Sequence, residues 1–515
     1  MLRGSDDRRS DPLRGDSDHR GSRAFGTRPS QTASSDAGDG VRAWQPESAF
    51  PVGIRTRQGD RRDRQGAEGA AHARPGSQRP TTRRRSANAR SADHQGDPSL
   101  SDADRLSVWY EQRLVGELWR DPLGRIGFHY DPSWITSGGF AVSRSLPLAG
   151  RTFAPDARIA HHFFANLLPE GSVRDHLVRD LKLPNTDFDL LRAIGGECAG
   201  ALSILLPNQT PSRQQQYHAL TEQELAKLVA RRGRIGAAWF TEERPRLSLA
   251  GAQDKCPVLM RDDQVLLPQR EAPSSHILKF ELADYRHLPA YETFTTQLAA
   301  AIGLPVVDIR LQSIGRTRYA LIARYDRIWD DQGGLRRLHQ EDVCQALGFG
   351  PERKYQEHGG PSFAQCYQLV QEASSEPAID TQSLLQWQIF NVLAGNSDGH
   401  AKNLSLLHLQ DDATRLAPFY DLLCTRAIER IDAHLAFSVG GERNPSLITG
   451  AHWETLAKAC DIRPSFLTNL VHKTAASLLE RIGPEREAFE ARYGAYPALQ
   501  RIEKVVRTQC RRHDG

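Results

Sequence analysis

Residues 391–407 read NVLAGNSDGHAKNLSLL. Just upstream, SLLQWQIFNV (383–392) sets apolar residues at 384, 385, 389, 390, 392 and 393, the spacing of a buried helix, and Gly395 supplies its stop. Downstream, LSLLHL (404–409) reads as a strand and Asp411 with Asp412 as a turn. RLAPFYDLL (415–423) then reads as a second strand ending at Asp421. The order is helix, polar loop, β-hairpin, acid.

That order suits phosphoryl transfer, which needs a carboxylate beside the acceptor hydroxyl and oxygen ligands holding Mg²⁺ against nucleotide phosphates. Protein kinases meet the need with an Asp, an Asn five positions later and a second Asp beyond a hairpin. Asp398 and Asn403 stand at that interval, and Asp421 follows the predicted hairpin. Asp398 is assigned to the acceptor hydroxyl, Asn403 and Asp421 to Mg²⁺. An Asx-rich turn whose side chains cap backbone groups is the competing reading, and it stands level until the remaining parts of a nucleotide site are found.

Two such parts lie upstream. RLSLAGAQDKCPVLM (246–260) sets Ala250, Gly251 and Ala252 between apolar stretches, so that backbone N–H groups can approach phosphate oxygens closely. It is not a Walker A sequence, and an ordinary turn is the alternative. SSHILKFE (274–281) reads as a strand carrying Lys279, either a phosphate-pairing lysine or a solvated edge residue. On the helix that follows, YETFTTQLAAAIGL (291–304), Glu292 is either the ion-pair partner of Lys279 or a surface glutamate.

Composition sorts the rest. Residues 1–100 hold 19 Arg, no Lys and 13 acidic residues, a net of +6, against +4 for the whole chain. The remaining 415 residues therefore carry about −2, and the body is not a basic nucleic-acid-binding protein. The first hundred residues lack aliphatic periodicity and cannot offset their ordering entropy, so they are expected to be disordered. A solvated tail, a start assigned too far upstream and a nucleic-acid-binding arm are the three readings. The seven scattered cysteines form no Cys-x-x-Cys pair, which argues against a disulfide framework or zinc site and for a reducing cytoplasm. No apolar run reaches membrane-spanning length, and the N-terminal residues, basic but without an apolar h-region, do not read as a secretory signal.

RLSVWYEQRLVGELWR (105–120) predicts a β-hairpin, FAVSRSLPL (140–148) another strand, and PNQTPSRQQQYHAL (207–220) a linker. Strands are expected to dominate from Leu247 to about Asp326 and helices from Glu341 onward. The predicted organisation is a tail at 1–100, a mixed subdomain at 105–207, a catalytic domain at 220–485 and a basic C-terminal tail at 486–515.

These motifs together resemble the HipA family of serine/threonine kinases, the toxins of bacterial toxin–antitoxin pairs. The resemblance is carried by SLAGAQDK (248–255), HILKF (276–280), ARYDR (323–327), LHQEDVCQALG (338–348), KYQEHGGPS (354–362), GNSDGHAKN (395–403) and APFYDLL (417–423). SRSLPL (143–148), FFANLLPEG (163–171) and IGGECAGAL (194–202) extend it toward the N-terminus. It implies an α+β, kinase-like fold: a mixed N-terminal subdomain, a mostly helical C-terminal one, and ATP in the cleft between them. Ala250, Gly251, Ala252, Gln253, Asp254 and Lys255 would form the nucleotide loop, and Lys279 would reach the phosphates. Ala323, Arg324 and Tyr325 would form the adenine-side hinge. His400, Ala401, Lys402, Asn403, Tyr420 and Asp421 would complete the nucleotide and Mg²⁺ site around Asp398. Ser248 matches the family's autophosphorylated serine. The hinge departs from the family's ERFDR pattern, and residues 1–100 have no family counterpart. His339, Glu341 and Asp342 are expected either to meet the protein substrate or to form an exposed acidic turn.

The function expected from the resemblance is an ATP- and Mg²⁺-dependent serine/threonine kinase toxin. Its acceptor would be a translation component such as glutamyl-tRNA synthetase or another aminoacyl-tRNA synthetase. The partners would be a small HipB-like helix-turn-helix antitoxin and, through it, operator DNA, with no membrane involvement. A catalytically minor co-repressor is the alternative. The basic cluster Arg501, Lys504, Arg507, Arg511 and Arg512 would then face phosphate rather than solvent. A small-molecule or lipid kinase is a third reading, and no amphipathic basic helix in the catalytic region supports a lipid.

Overall fold

The structure, a computed structural model, describes residues 101–513 except 235–245, 247, 249, 252, 283–284, 410–411 and 430. The expectations for residues 1–100, Ala252 and Asp411 lie outside the described residues.

Strands β1 (Arg105–Tyr110) and β2 (Arg113–Arg120) form the predicted hairpin. With β3 (Ile126–Tyr130), β4 (Thr152–Phe153) and β5 (Leu202–Leu205) they make an antiparallel sheet in the order β4-β3-β2-β1-β5. Val108, Leu118 and Phe128 of this sheet are buried with Trp134 of α1 (Pro132–Thr136), Phe163 and Phe164 of α2 (Ile159–Ala165) and Phe188 of α4 (Asp187–Ile194). Helix α3 (Gly171–Leu181) adds Leu177 and Val178 at the margin of the same core. Residues 140–148 are not the predicted strand; they turn, with one bridge between Ser143 and Leu146. Tyr130 Oη accepts from the Val142 N–H at 2.8 Å and donates to the Leu146 carbonyl at 2.5 Å, so a tertiary tether replaces a ladder.

The second sheet comprises β6 (Tyr217–Ala219), β7 (Lys255–Arg261), β8 (Gln264–Pro268), β9 (His276–Phe280), β10 (Ile309–Ile314) and β11 (Thr317–Ala323), in the order β10-β11-β9-β7-β8-β6. Strand β6 lies inside the stretch read as a linker and pairs with β8. Helices α5 (Glu222–Ala230) and α6 (Leu288–Ala301) pack against β10 and β11.

A short hairpin, β12 (Arg327–Trp329) with β13 (Leu335–Arg337), leads to a three-stranded sheet, β14 (His339–Asp342), β15 (Ser405–His408) and β16 (Thr414–Leu416). The predicted strand through Asp421 stops at Leu416 because Pro418 cannot donate to a ladder. The remainder is helical: α7 (Val343–Leu347), α8 (Phe363–Ala373), α9 (Pro377–Ala394), α10 (Gly450–Ala459), α11 (Pro464–Tyr493) and α12 (Leu499–Cys510). Helix α9 is the helix read from residues 383–392. Its residues Leu384, Leu385, Trp387, Ile389, Phe390 and Val392–Ala394 are all buried. Gly395 ends it at φ +73, where a Cβ would stand 2.8 Å from Val505 Cγ1. Glycine is required there on both counts.

Two sequence expectations are corrected. Residues 486–515 are not a tail: α11 runs to Tyr493, and α12 buries Leu499, Ile502, Val506 and Cys510 in the main core. Three of the five basic residues bind within the fold: Arg501 to the Ala427 carbonyl (3.0 Å), Arg507 to Glu503 (2.7 Å) and Arg512 to the Ser446 carbonyl (3.2 Å). His339 and Glu341 are buried rather than exposed. Glu341 accepts from Ser143 Oγ at 2.5 Å and from the Arg144 N–H at 3.2 Å, and His339 Nε2 bonds the Val142 carbonyl at 2.8 Å. These side chains dock the N-terminal sheet onto β14. Asp342 caps α7 by accepting from the Gln345 N–H at 2.8 Å. The described residues between 101 and 513 accordingly belong to one compact unit. Among the described residues no helix is long and apolar enough to cross a membrane.

Candidate active site

Strand β9 lies between β11 and β7 in the second sheet and directs Lys279 inward, leaving its side chain 9% exposed. Lys279 Nζ is 2.6 Å from Glu292 Oε1 of α6 and 2.6 Å from Asp421 Oδ1. One ammonium thus serves two carboxylates, which compensates for the desolvation of Lys279 and Glu292, while the Asp421 side chain stays 43% exposed to the cleft. The carboxylates hold the Lys279 ammonium above its ordinary pKa, against its burial. Lys279 and Lys255 hold Asp421 below the usual carboxylate range, whereas burial pushes Glu292 up. Glu292 is therefore the ion-pair partner of Lys279 and not a surface residue. Asp421 sits at φ +61, in the left-handed region, which aspartate tolerates better than most non-glycine residues.

The loop after α9 combines both readings of its sequence. Asn396 Nδ2 donates to Asn391 Oδ1 at 3.0 Å, and Ser397 Oγ bonds Thr425 Oγ1 and the Asp432 carbonyl, each at 2.6 Å, so the turn is indeed capped by its own side chains. That capping presents Asp398 to solvent while Asn403 Nδ2 donates to the Asp398 carbonyl at 3.0 Å. The Asn403 nitrogen is thereby spent within the loop. Tyr355 Oη donates to Asp398 Oδ1 at 2.5 Å, and its ring meets the His400 ring edge-on at 5.1 Å. Burial holds the His400 imidazole below its ordinary pKa.

Across the cleft, Gly251 adopts φ +114, and Lys255 Nζ donates to the Ala250 carbonyl. Burial, together with the neighboring Lys279 ammonium, pushes Lys255 down to about 8. Gln253 Nε2 ties the loop to the Phe280 carbonyl at 3.0 Å. Ser248 is fully buried: its Oγ donates to the Leu167 carbonyl at 2.7 Å and its N–H to the Glu197 carbonyl at 2.8 Å.

A single cavity of about 620 Å³ joins these parts. Of the sequence-predicted residues, Ala250, Gly251, Gln253, Lys255, Lys279, Ala323, Arg324, Tyr325, Asp398, His400, Lys402, Asn403, Tyr420 and Asp421 line it. Asp254 and Ala401 do not: the Asp254 carbonyl accepts from the Phe280 N–H, and Ala401 is buried, with its N–H on the Lys354 carbonyl. Ser248 does not line it either. Ile277, Val307 and Ile322 give the cavity an apolar side near Tyr325 and Tyr420, whose rings stack at 5.8 Å. The N–H groups of Ala323 and Arg324 are already donated to the Asp308 and Ser275 carbonyls, at 2.9 Å each. The Arg324 guanidinium is held by Glu197 at 3.0 Å and Asp326 at 2.8 Å.

Oxygen ligands on this wall suit a hard cation. Asp421 is anionic, and Asn403 has its amide nitrogen occupied, which leaves its oxygen for a ligand. Among the described residues no group of three or more His, Cys, Asp or Glu could hold a metal. A cation here would take one carboxylate, one amide, phosphate oxygens and water, the usual manner of Mg²⁺. Sequence reading missed Glu170, Lys354 and Tyr355, all of which line the cavity. LLPEG and KYQEH were quoted as motifs, but no local pattern indicated that they meet Asp398 and Lys402.

Comparison with known proteins shows the family. A family model described as the HipA N-terminal domain matches residues 106–205, and one described as the HipA-like C-terminal domain matches residues 247–482. The putative kinase Y4mE of Sinorhizobium fredii is 37% identical over 385 residues, 72% of this chain and 90% of that protein. The serine/threonine-protein kinase toxin HipA of Shewanella oneidensis is 30% identical over 418 residues, 76% of this chain and 93% of that protein. A solved complex of Shewanella oneidensis HipA with HipB and its operator DNA superposes with a TM-score of 0.68 at 25% identity, covering 79% of this chain and 97% of that one.

Proposed function

The chain belongs to the HipA family, and from that premise we propose that it is an ATP- and Mg²⁺-dependent serine/threonine kinase acting as the toxin of a toxin–antitoxin pair. The observation that carries the reading is the Lys279–Glu292–Asp421 cluster, on the cavity that also holds Asp398 and Asn403. Lys279 and Lys255 would bind the nucleotide phosphates, with the 250–255 loop covering them. Asp421 and the Asn403 oxygen would hold Mg²⁺, which neutralises charge on the phosphate oxygens when bound. Asp398 would orient the acceptor serine hydroxyl and take its proton as the oxygen attacks the γ-phosphorus, with ADP leaving. The apolar side at Ile277, Val307 and Ile322 would take the adenine.

Incubation with labelled ATP and Mg²⁺ tests this. Asp398→Asn is expected to reduce transfer by about 10²–10⁴-fold. Asp398 is exposed and makes one side-chain hydrogen bond, to Tyr355, so the melting temperature should not move. Equal transfer by both proteins would refute the assignment. No transfer by either, with antitoxin binding retained, would favour the co-repressor.

Ser248 would be the autophosphorylation site, and its modification an off switch. The buried Oγ has room for neither a phosphate nor its roughly two negative charges, so the loop would leave its dock. Ser248→Ala should sustain activity through repeated turnover; a decay matching wild type would overturn this. The partner inferred is a helix-turn-helix antitoxin bound to operator DNA, supported by the Shewanella complex. The acceptor inferred is a translation component of the aminoacyl-tRNA synthetase class, as the family resemblance implies.

A further inference from the structure

One wall of the catalytic cavity comes from the N-terminal sheet's own helices. The turn between α2 and α3 contributes Asn166, Leu167 and Glu170 to the cavity lining. This turn grips the phosphate-side loop. The Leu167 carbonyl accepts from Ser248 Oγ at 2.7 Å, and the Glu170 N–H donates to the Gly251 carbonyl at 3.1 Å. The Glu170 carboxylate faces the other way. Its Oε2 is 2.7 Å from Lys354 Nζ and its Oε1 2.8 Å from Lys402 Nζ. Lys402 also donates to the Asn166 carbonyl at 3.2 Å. The two ammonium groups hold Glu170 down to about 2 despite its burial, so it is an anion throughout the working pH range.

Each lysine is one residue from a group that bonds Asp398. Lys354 precedes Tyr355, whose hydroxyl donates to Asp398 Oδ1 at 2.5 Å. Lys402 precedes Asn403, whose amide donates to the Asp398 carbonyl at 3.0 Å. One carboxylate therefore reaches the proposed base by two short covalent and hydrogen-bonded routes, while its own backbone docks the loop opposite. We propose that Glu170 is a positioning residue for phosphoryl transfer, through which the N-terminal subdomain sets the catalytic loop and the 354–358 segment against the phosphate-side loop. The proposal rests on the kinase reading.

A carboxylate that merely stabilised the fold would change the amount of active protein and leave each active molecule unaltered. A positioning role separates kcat from KM. Glu170→Gln keeps the backbone contact to Gly251 and the side chain's size, but removes the anion between two cations. The phosphate end gains net positive charge, so the KM for ATP should hold or fall a few-fold. The kcat should fall by roughly 10- to 100-fold, the scale of an ångström-sized misplacement. Glu170→Asp retains the anion on a shorter arm and should recover part of kcat. The experiment measures initial rates of label transfer on the full chain at varied Mg-ATP, normalised to nucleotide-binding sites counted by calorimetry. Glu170→Asp serves as the folded control should Glu170→Gln bind no nucleotide. A Glu170→Gln kcat per site within twofold of wild type overturns the proposal, as does a KM that rises in step with the loss, or Glu170→Asp no better than Glu170→Gln. A wild-type chain that binds Mg-ATP yet transfers no label overturns the kinase reading, and this inference falls with it.

Discussion

Glu197→Gln should lower the unfolding free energy by about 3–5 kcal/mol, the usual cost of removing one partner from a buried ionic cluster. Glu197 has no solvent exposure, and its Oε1 accepts from Arg324 Nη1 (3.0 Å), Arg327 Nη2 (2.9 Å) and the Ser274 N–H (2.9 Å). Its Oε2 accepts from Arg337 Nε at 2.8 Å. Glutamine keeps the shape but leaves Arg324 and Arg327, each at most 2% exposed, sharing Asp326, and takes from Arg337 the carboxylate it pairs with. The guanidinium groups hold Glu197 down to about 2 from an ordinary 4.5. The folded state therefore binds the proton more weakly than the unfolded one, and the stabilisation is complete above pH 4.5. It is lost as pH falls from there toward 2. The melting temperature should drop by roughly 5 °C at neutral pH, with the difference closing in acid. A variant melting within a couple of degrees of wild type at pH 7 would contradict this account. Because Glu197 also holds the Ser248 N–H through its carbonyl, the same change should loosen the loop that carries Ser248.

Lys279→Met should abolish phosphoryl transfer, by about 10³-fold, since it deletes a preorganised cation from the cavity where phosphate charge must be stabilised. It also leaves Glu292 and Asp421 without the ammonium that both contact at 2.6 Å. Burial already pushes Glu292 up, and losing the cation pushes it further, so in the variant the folded state holds that proton more tightly than the unfolded one. Variant stability should then fall as pH rises above the ordinary carboxylate range, a dependence opposite in sign to that of Glu197. Thermal melts of Lys279→Met between pH 5 and 8 check it. A variant whose melting temperature rises with pH over that window would mean that the three groups do not act as one cluster in solution.

The parts of the site that could be read in advance are those built by neighbors along the chain. Asp398 and Asn403 share one loop after a helix whose apolar spacing is unmistakable, and Lys279 and Glu292 are 13 residues apart on a strand and the next helix. β-branched and aromatic residues around a polar center marked the β1–β2 hairpin. The strand reading of 140–148 failed because Tyr130 and Glu341 claim the backbone groups that a strand would have paired. Basic residues at helical spacing on α12 suggested a free cationic face, but their partners Ala427 and Ser446 lie in other segments.

By itself, then, the sequence determined the helix before the catalytic loop, the carboxylate–amide pair on that loop, the lysine strand and the family. These rest on short-range periodicity and spacing, where each residue's partner lies within a turn or two. Only the tertiary structure decided that Tyr355 caps Asp398 across 43 residues, that Glu170 joins Lys354 across 184, and that Glu341 faces Ser143 across 198 rather than a substrate. A buried charge must find an opposite charge wherever the chain brings one, and that demand leaves no period in the sequence.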